Sequence, residues 1–223
     1  MTKEERAAKL KEKFDLMTSI EKDFRSRGYK YIAGVDEVGR GPLAGPVVAA
    51  AVILPEDFNF CGIDDSKKLS EKKRNELNEL IKGKALAIGI GVASNVEIDK
   101  INILNATKKA MQNALKSLSD ELLRNIGKKP DLVLIDAVRL ENLNIRQENI
   151  IKGDAKVLSI AAASIVAKVY RDNLMIEYSR EYPGYDFEHN KGYGTKNHYE
   201  GIENLGITKV HRKTFLRKFL NEE

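Results

Sequence analysis

The sequence predicts an α/β protein in which a mixed five-stranded sheet is flanked by helices. Three apolar runs in the first half of the chain indicate strands joined as hairpins, and two more strands follow after a long helical pattern. Three hairpin-connected strands followed by helix, strand, strand and helix indicate a mixed sheet. A helix ahead of the first strand and a helical region at the C-terminus complete the predicted architecture.

The N-terminal helix is predicted from apolar residues at spacings of three and four. These residues are Leu10, Phe14, Met17, Ile20 and Phe24. They give residues 4–27 one apolar face, and Gly28 closes the helix. We assign residues 1–28 to an amphipathic helical extension that packs on a main domain of residues 29–223.

Three early apolar segments predict buried strands, at residues 31–36, 47–54 and 85–93. Gly89 and Gly91 are weak points of the third segment, because glycine has no side chain to pack. Between the second and third segments, Ser70 is a suitable N-cap for a short helix that runs through Ile81.

The second half of the chain alternates helices and strands. A long helix is predicted over residues 103–124, and the segment 127–130 breaks it. Residues 131–136 form the clearest strand, which ends on an acid as the first strand does. A short fifth strand at 149–151 leads into a helix that begins near Ala155.

Composition restricts the class of protein. The 223 residues are 42% hydrophobic, which suffices for a core, and the single cysteine, Cys61, has no partner within the chain for a disulfide. The N-terminus lacks the apolar core of a signal peptide, and the apolar runs are too short to span a bilayer. We therefore expect a cytoplasmic protein that does not bind membranes. A monomer is the working expectation, although nothing in the sequence fixes the oligomeric state.

Basic residues concentrate toward the C-terminus, although the formal net charge is only +5. Residues 189–223 contain seven Lys or Arg against four Glu, together with all three histidines and four aromatics. Basic residues interleaved with aromatics are typical of polyanion binding, but a solvated helical face is the commoner explanation of a charge cluster. The pattern favours nucleic acid only weakly.

Two adjacent acids, Asp36 and Glu37, stand at the end of the first predicted strand and run into the loop Gly39-Arg40-Gly41. Glycines let main-chain amides approach a ligand closely, and an arginine fork suits phosphate. An exposed turn has the same composition, and this segment alone supports both interpretations about equally. Successive strand residues face opposite sides, so both acids serve one site only if the pleat ends or bulges there.

Four acids lie at strand ends or just beyond them: Asp36, Glu37, Asp136 and Asp154. Oxygen ligands without a Cys/His zinc pattern favour a hard cation such as Mg²⁺ or Mn²⁺. Pairs of such cations catalyse phosphodiester hydrolysis, whereas a carboxylate cluster without metal repels itself. Asp136 alone could be a loop acid and Asp154 a helix N-terminal charge, so the inference depends on all four occurring together.

Several motifs and one single acid, Asp136, follow one another along the chain. The motifs are residues 34–47, 65–70, 152–154, 161–172, 189–195 and 211–215. In these motifs the sequence resembles the type 2 ribonucleases H, and within them bacterial ribonuclease HII. No position that matters departs from the family pattern, and only residues 1–28 lie outside the resemblance. The resemblance implies a ribonuclease H-like fold.

The resemblance also implies an endonuclease that hydrolyses the RNA strand of RNA–DNA hybrids and cuts on the 5′ side of single ribonucleotides in duplex DNA. Its products would carry a 3′-hydroxyl and a 5′-phosphate, and its role would be the removal of ribonucleotides from DNA. The implied catalytic residues and metal ligands are Asp36, Glu37, Asp136 and Asp154. They would hold Mn²⁺ or Mg²⁺, with two ions in the substrate complex.

Recognition of the ribonucleotide is assigned by the resemblance to Gly39, Arg40, Gly41 and Tyr193. Main-chain groups of the glycine loop can bind the 2′-hydroxyl, which distinguishes RNA from DNA. Tyr193 can lie against the sugar, although a tyrosine between two glycines is usually a loop anchor.

Candidate phosphate contacts are Lys67, Lys68, Lys168, Arg171, Lys191 and Lys196. Ser164 and Lys168 lie one helical turn apart and could bind one phosphate together. A solvated surface position explains each basic residue equally well. The three histidines, His189, His198 and His211, are too scattered for a catalytic triad and receive no catalytic role.

Two alternatives remain at this point. The first alternative is a hybrid nuclease similar to ribonuclease HIII. Members of that group usually carry a sizeable N-terminal substrate-binding domain, and the roughly thirty residues ahead of the first strand are too few for one. A catalytically silent module that binds RNA–DNA hybrids is disfavoured, because a pure binder gains nothing from clustered negative charge facing phosphates.

Overall fold

The structure is a computed structural model that describes residues 2–220. Five strands lie in this range: β1 (Ile32–Val38), β2 (Val47–Ile53), β3 (Ala87–Ala93), β4 (Leu132–Asp136) and β5 (Arg146–Ile150). The α-helices of the same range are α1 (Lys3–Ser26), α2 (Glu71–Lys84), α3 (Asn95–Ile126), α4 (Leu158–Glu181), α5 (Phe187–Asn190), α6 (Lys196–Leu205) and α7 (Lys213–Leu220). Two short 3₁₀ turns, Ser66–Lys68 and Gly153–Ala155, precede α2 and α4.

The five strands form one mixed sheet in the order β3-β2-β1-β4-β5. The first three strands pair antiparallel, while β4 runs parallel to both β1 and β5. Helix α3 carries the chain from the edge strand β3 back to the centre of the sheet, beside β1. The predicted α/β class and the mixed five-stranded sheet are confirmed.

Helices cover both faces of the sheet. The long helix α3 packs on one face, and α4 with α2 packs on the other. At Gly89 of β3, an added Cβ would lie 2.0 Å from the carbonyl oxygen of Ala114 on α3. At Gly34 of β1, it would lie 2.2 Å from the main chain of Ser159 on α4. The glycine that the sequence marks as a weak point therefore permits close packing of the helix on the sheet.

Helix α1 packs on the outside of α4 and also caps it. The side chain of Glu21 lies only 6% exposed, and its Oε1 accepts the Ser159 N–H at 2.9 Å. The residue before α4, Val157, supplies no side-chain cap of its own. Because the first amides of a helix lack intrahelical partners, Glu21 provides the missing acceptor from another helix.

Several element boundaries differ from the predictions. Helix α3 begins at Asn95, where Ser94 and Glu97 form a capping box, and Asn102 interrupts it with a φ of 65°. Helix α4 begins three residues later than predicted, after a 3₁₀ turn. Strand β5 begins earlier, at Arg146, because its polar side chains at the sheet edge give no apolar run. None of the helices in the described range is long and apolar enough to cross a membrane.

Candidate active site

The central strands β1 and β4 end at the same edge of the sheet, and each carries an acid there. Because the strands run parallel with Val35 opposite Ile135, the next residues, Asp36 and Asp136, are neighbours across the sheet. Adjacent strands lie about 4.8 Å apart. The topology therefore brings together two acids that are separated by a hundred residues of sequence.

Asp36 is buried among negative charges. Burial raises its pKa well above the usual range, and the charges of Glu37 and Asp136 raise the pKa further. A hydrogen bond with the hydroxyl group of Ser164 on α4 lowers the pKa only in part. The ionised form of this carboxyl group consequently needs a nearby cation.

Glu37 reaches the site although the strand does not end at the acid pair. Strand β1 stays paired with β2 through Val38, so the expectation that the pleat ends or bulges at Asp36 and Glu37 is wrong. Burial raises the pKa of Glu37, the Arg40 guanidinium 3.5 Å away lowers it, and the charge of Asp136 raises it again. Glu37 therefore lies close enough to Asp136 to feel its charge, and it lines the cleft beside the glycine loop.

Asp154 joins the site through the turn after β5. Lys152 adopts a left-handed conformation with φ of 59°, and Gly153 donates its N–H to Asp136 Oδ1 at 3.0 Å. This bond ties the turn to the end of β4. Burial raises the pKa of Asp154, and the charges of Asp65 and Asp136 raise it further.

A loop from the second motif adds Asp65 and Lys67, which sequence reasoning did not place at the metal site. Asp65 accepts the Lys67 N–H at 2.9 Å and contributes negative charge at Asp154. The Lys67 side chain lowers the pKa of both Glu37 and Asp154. The sequence signal was the motif at residues 65–70, which the resemblance contained without an assigned function.

The glycine loop after β1 is fixed from the protein interior by Arg212, which is fully buried. Its guanidinium donates to the carbonyl oxygens of Gly39 at 2.6 Å, Arg40 at 2.9 Å and Gly45 at 2.9 Å. An arginine can satisfy several loop carbonyls at once because it has five donors in a rigid plane. Sequence reasoning missed Arg212, which lies in the last motif.

Arg171 has a similar internal role, and the prediction that it contacts a phosphate is wrong. It is fully buried and donates to the carbonyl oxygens of Pro46, Ala44 and Lys191 at 3.0, 3.1 and 2.9 Å. These bonds connect the loop after β1 to the segment before Tyr193.

Tyr193 stands beside the glycine loop with 44% of its surface exposed. The Gly192 carbonyl accepts the Leu43 N–H at 2.8 Å, and the Tyr193 ring lies 3.5 Å from the position that a Cβ of Gly41 would occupy. The buried Asn190 accepts the Gly192 N–H at 2.7 Å and shapes the turn before Tyr193. The structure thus places the four predicted ribonucleotide contacts next to one another.

A cleft of about 690 Å³ opens between these loops and helix α4. Its lining includes Glu37, Gly39, Arg40, Gly41, Ser66, Lys67, Arg74, Ser164, Lys168 and Tyr193. Ser164 bonds the Ser66 hydroxyl at 2.9 Å, and Lys168 bonds Asp172 at 2.6 Å. Three of the predicted phosphate contacts, Lys67, Ser164 and Lys168, therefore line the cleft, and Ser164 and Lys168 are each held by a protein partner.

The remaining basic candidates lie on the surface and have partners there. Lys68 is 3.9 Å from Asp64, and Lys196 is 3.6 Å from Glu200. The Lys191 ammonium group donates to the main-chain carbonyl of Glu188. These three residues do not line the cleft in the described structure.

The donor set of the site fits a hard divalent cation. It consists of carboxylates, and burial or like charge raises the pKa of Asp36, Glu37 and Asp154. A divalent ion replaces this repulsion with attraction and favours oxygen ligands. The four acids are therefore the residues that would hold a metal.

A second group of possible metal ligands lies away from this site. Ligand atoms of Asp186, Glu188 and His189 come within 4.8 Å of one another on the surface. His189 Nδ1 already bonds Asp186 at 2.5 Å, and Asn197 donates to the other oxygen of the same carboxylate at 3.1 Å. Internal hydrogen bonds therefore account for this group.

Comparison with known proteins agrees with the fold and with the motifs. The model of the family described as Ribonuclease HII matches residues 33–219. The ribonuclease HII of Bacillus subtilis strain 168 is 54% identical over 215 residues, which are 96% of this chain and 81% of that protein. The ribonuclease HII of Clostridioides difficile strain 630 is 51% identical over 212 residues, which are 95% of this chain and 80% of that protein.

Solved structures share the fold at low sequence identity. The ribonuclease H2 from Pyrococcus horikoshii OT3 superposes with a TM-score of 0.68 at 24% identity, covering 85% of this chain and 97% of that one. A structure titled as Bst-RNase HIII in complex with Mn²⁺ gives a TM-score of 0.59 at 19% identity, covering 84% and 65%.

The fold and the carboxylate site define a metal-dependent nuclease of the ribonuclease H class. The motifs and the extent of identity are more specific than the fold. This chain belongs to the ribonuclease HII family.

Proposed function

We propose that this ribonuclease H hydrolyses the RNA strand of RNA–DNA hybrids and cuts duplex DNA on the 5′ side of single embedded ribonucleotides. The products carry a 3′-hydroxyl and a 5′-phosphate, and the reaction removes ribonucleotides from DNA. The observation that carries this proposal is the placement of four acids beside the Gly39-Arg40-Gly41 loop and Tyr193.

In the proposed reaction Asp36, Glu37, Asp136 and Asp154 hold Mn²⁺ or Mg²⁺, with two ions in the substrate complex. Divalent ions held by these residues would lower the pKa of a water molecule for attack on the phosphorus and would stabilise the departing 3′ oxygen. The protein's own contribution is to hold the four carboxylates at one edge of the sheet. The bond from Gly153 to Asp136 and the pairing of β1 with β4 provide this rigidity.

Selection of RNA depends on the loop and on Tyr193. Arg212 engages the Gly39 and Arg40 carbonyl oxygens, which fixes the orientation of the loop peptides toward the cleft. Main-chain groups held in this way can bind the 2′-hydroxyl, while the Tyr193 ring lies against the sugar. Lys168 and Ser164 are proposed to contact one phosphate of the substrate.

The proposal is tested with three labelled duplexes incubated with purified protein and either Mg²⁺ or Mn²⁺. The substrates are all-DNA, DNA with one ribonucleotide, and an RNA–DNA hybrid. We expect cleavage of the second and third substrates, with the cut 5′ to the lone ribonucleotide and the all-DNA duplex intact. Cleavage of the hybrid alone would contradict the proposed cutting at single ribonucleotides. Binding without any cleavage would instead indicate a catalytically silent module that binds RNA–DNA hybrids.

The role of Tyr193 is tested by Tyr193→Phe, which removes only the hydroxyl group. We expect a lower cleavage rate or a weaker preference for a ribonucleotide over DNA, with unchanged affinity for Mn²⁺. Tyr170→Phe is the matched control, because Tyr170 is 42% exposed on α4 and lies outside the cleft lining. An unchanged rate and preference in Tyr193→Phe would contradict the proposed role of the hydroxyl.

A further inference from the structure

Two buried histidines lie directly behind Tyr193. His198 and His211 are 0% and 2% exposed, and their Nε2 atoms are 3.0 Å apart. The rings of Tyr185 and Phe187 enclose the pair, at centroid distances of 5.1 to 6.4 Å. Neither histidine touches the acids or the cleft, so the proposed hydrolysis gives the pair no role.

The partners of the two rings fix the position of each proton. His198 Nδ1 lies 2.9 Å from the Tyr193 carbonyl oxygen, which only accepts, so Nδ1 of His198 carries the proton. His211 Nδ1 accepts the Thr208 N–H at 2.8 Å, so the proton of neutral His211 is on Nε2. The His211 Nε2–H therefore donates to the bare Nε2 of His198, and all three hydrogen bonds run in one direction.

This chain of bonds ends on the Tyr193 main chain, whose carbonyl also accepts the Thr195 N–H at 2.8 Å. The neighbour of His211 is Arg212, which holds the carbonyl oxygens of Gly39 and Arg40. Adjacent residues 211 and 212 thus reach the two halves of the proposed ribonucleotide site. One half is Tyr193, and the other is the glycine loop.

We propose that the His198–His211 pair is a positioning device that fixes Tyr193 against the Gly39-Arg40-Gly41 loop, and that it works only while both rings are neutral. The inference rests on the proposed function, because it assumes that Tyr193 contacts the ribonucleotide. His198 and His211 are positioning residues, since they act through the Tyr193 main chain.

Protonation of either ring would break one of these hydrogen bonds. An extra proton on His198 would place two N–H groups face to face across 3.0 Å, and an extra proton on His211 would face the Thr208 N–H. Burial lowers the pKa of both rings, that of His211 to about 4, which keeps the pair neutral at pH 7. The charge of Asp186 raises the pKa of His198 and so opposes the effect of burial in part. The pKa of His211 is lowered further by His198.

The first test needs no substrate. ¹⁵N-resolved imidazole spectra of the free protein at pH 7 report which nitrogen of each ring is protonated. We expect a proton on Nδ1 of His198 and on Nε2 of His211. The opposite tautomer in either ring, or an imidazolium at this pH, would overturn the proposal whatever the enzyme cleaves.

The second test is a double-mutant cycle between His198→Phe and Tyr193→Ala, measured as kcat and KM on duplex DNA with one ribonucleotide. Phenylalanine retains an aromatic ring beside Phe187 but removes the donor to Tyr193. We expect His198→Phe to lower kcat/KM roughly tenfold in the native background, as loss of one buried hydrogen bond permits, and less than about twofold in the Tyr193→Ala background. Equal losses in both backgrounds would assign His198 a merely structural role.

Conservative and control variants complete the experiment. His198→Asn places an amide N–H near the position of Nδ1 and should recover part of the loss seen in His198→Phe. If His198→Phe does not fold, the tautomers of the native protein still decide the proposal. His189→Phe is the matched control, because His189 is exposed and bonds only neighbouring acids. If Tyr193→Ala itself cleaves normally, the proposed role of Tyr193 fails; if it is impaired but the cycle is additive, only the positioning inference fails.

Discussion

Asp136 combines two tasks in one carboxyl group. Its charge raises the pKa of Asp36, Glu37 and Asp154, and its Oδ1 accepts the Gly153 N–H that holds the turn of Asp154. Asparagine keeps the oxygen acceptor and loses the charge. The substitution therefore separates metal binding from the local structure.

Asp136→Asn should abolish cleavage and keep both the fold and the affinity for duplex. Loss of one metal ligand explains the first effect, and the retained Oδ1 explains the second. Cleavage assays, duplex-binding titrations and circular dichroism measure the three properties. Asp120→Asn, an exposed acid on α3, is the control for the same chemical change. Near-native cleavage by Asp136→Asn would remove Asp136 from the ligand set.

At the scale of elements, α1 contributes to the stability of α4, the helix that carries Ser164 and Lys168 of the cleft. Glu21 caps the N-terminus of α4, which follows directly after the turn of Asp154. Burial raises the pKa of Glu21, so the folded protein disfavours the ionised form while still using the oxygen acceptor. A neutral acceptor of the same shape satisfies both requirements.

Glu21→Ala should lower the free energy of unfolding by about 1 kcal/mol, because the cap is lost. Glu21→Gln should be at least as stable as the native protein at pH 8. Its advantage should shrink as the pH falls, since a raised pKa makes the native fold more stable on protonation of Glu21. Urea unfolding at pH 8 and pH 5 measures these differences, with the exposed Glu12→Ala on α1 as control. Equal destabilisation by Ala and Gln would contradict the capping role.

Close packing of α3 on β3 requires glycine at position 89. Gly89→Ala should destabilise the fold by about 1–3 kcal/mol, because the new methyl group meets the Ala114 carbonyl. Gly83→Ala on α2 has no atom within 4 Å of the added Cβ and should stabilise by about 0.5–1 kcal/mol. Thermal unfolding of the two variants tests the opposite signs, and a loss of stability in both would indicate a backbone effect instead.

At the scale of the whole molecule, the acidic site makes stability depend on pH, and the proposed metal binding would make it depend on divalent ions as well. Raised carboxyl pKa values mean that the metal-free fold binds protons more readily than the unfolded chain, so these groups favour the fold as the pH falls. His211 contributes the opposite sign, because its lowered pKa favours the fold as the pH rises from about 4. A divalent ion requires the ionised carboxylates.

Mn²⁺ should therefore raise the melting temperature more at pH 8 than at pH 5.5. At a free concentration of a hundred times Kd the stabilisation is about 2.7 kcal/mol. The quantity to measure is the difference between samples with Mn²⁺ and with a chelator at the same pH, because the contribution of His211 cancels in it. Asp136→Asn should reduce the difference, and an equal shift at both pH values would show that the raised-pKa acids do not bind the ion.

Local sequence patterns predicted most of the strands and helices that position the site. Strands β1, β2 and β4 were predicted because buried strands are continuous apolar runs, and α2 was predicted from its Ser70 cap. The predicted start of strand β5 was three residues too late, because an edge strand with polar side chains has no continuous apolar run. The kink at Asn102 coincides with the predicted helix start at residue 103, because Asn102 Oδ1 accepts the Asn105 N–H at 3.1 Å as a helix N-cap does.

The sequence by itself determined the fold class, because apolar runs and helical periodicity are local patterns. It also predicted the site roles of the four acids, the glycine loop and Tyr193 through motifs that resemble a family, and these roles stay predictions. Only the tertiary structure decided what Arg171, Arg212 and the two buried histidines do. Their partners are main-chain groups and, for the two histidines, also each other, up to 173 residues away in the sequence. The sequence does not show whether an arginine or a histidine is exposed or buried. Its role depends on that burial and on the hydrogen-bond partners it finds in the folded protein.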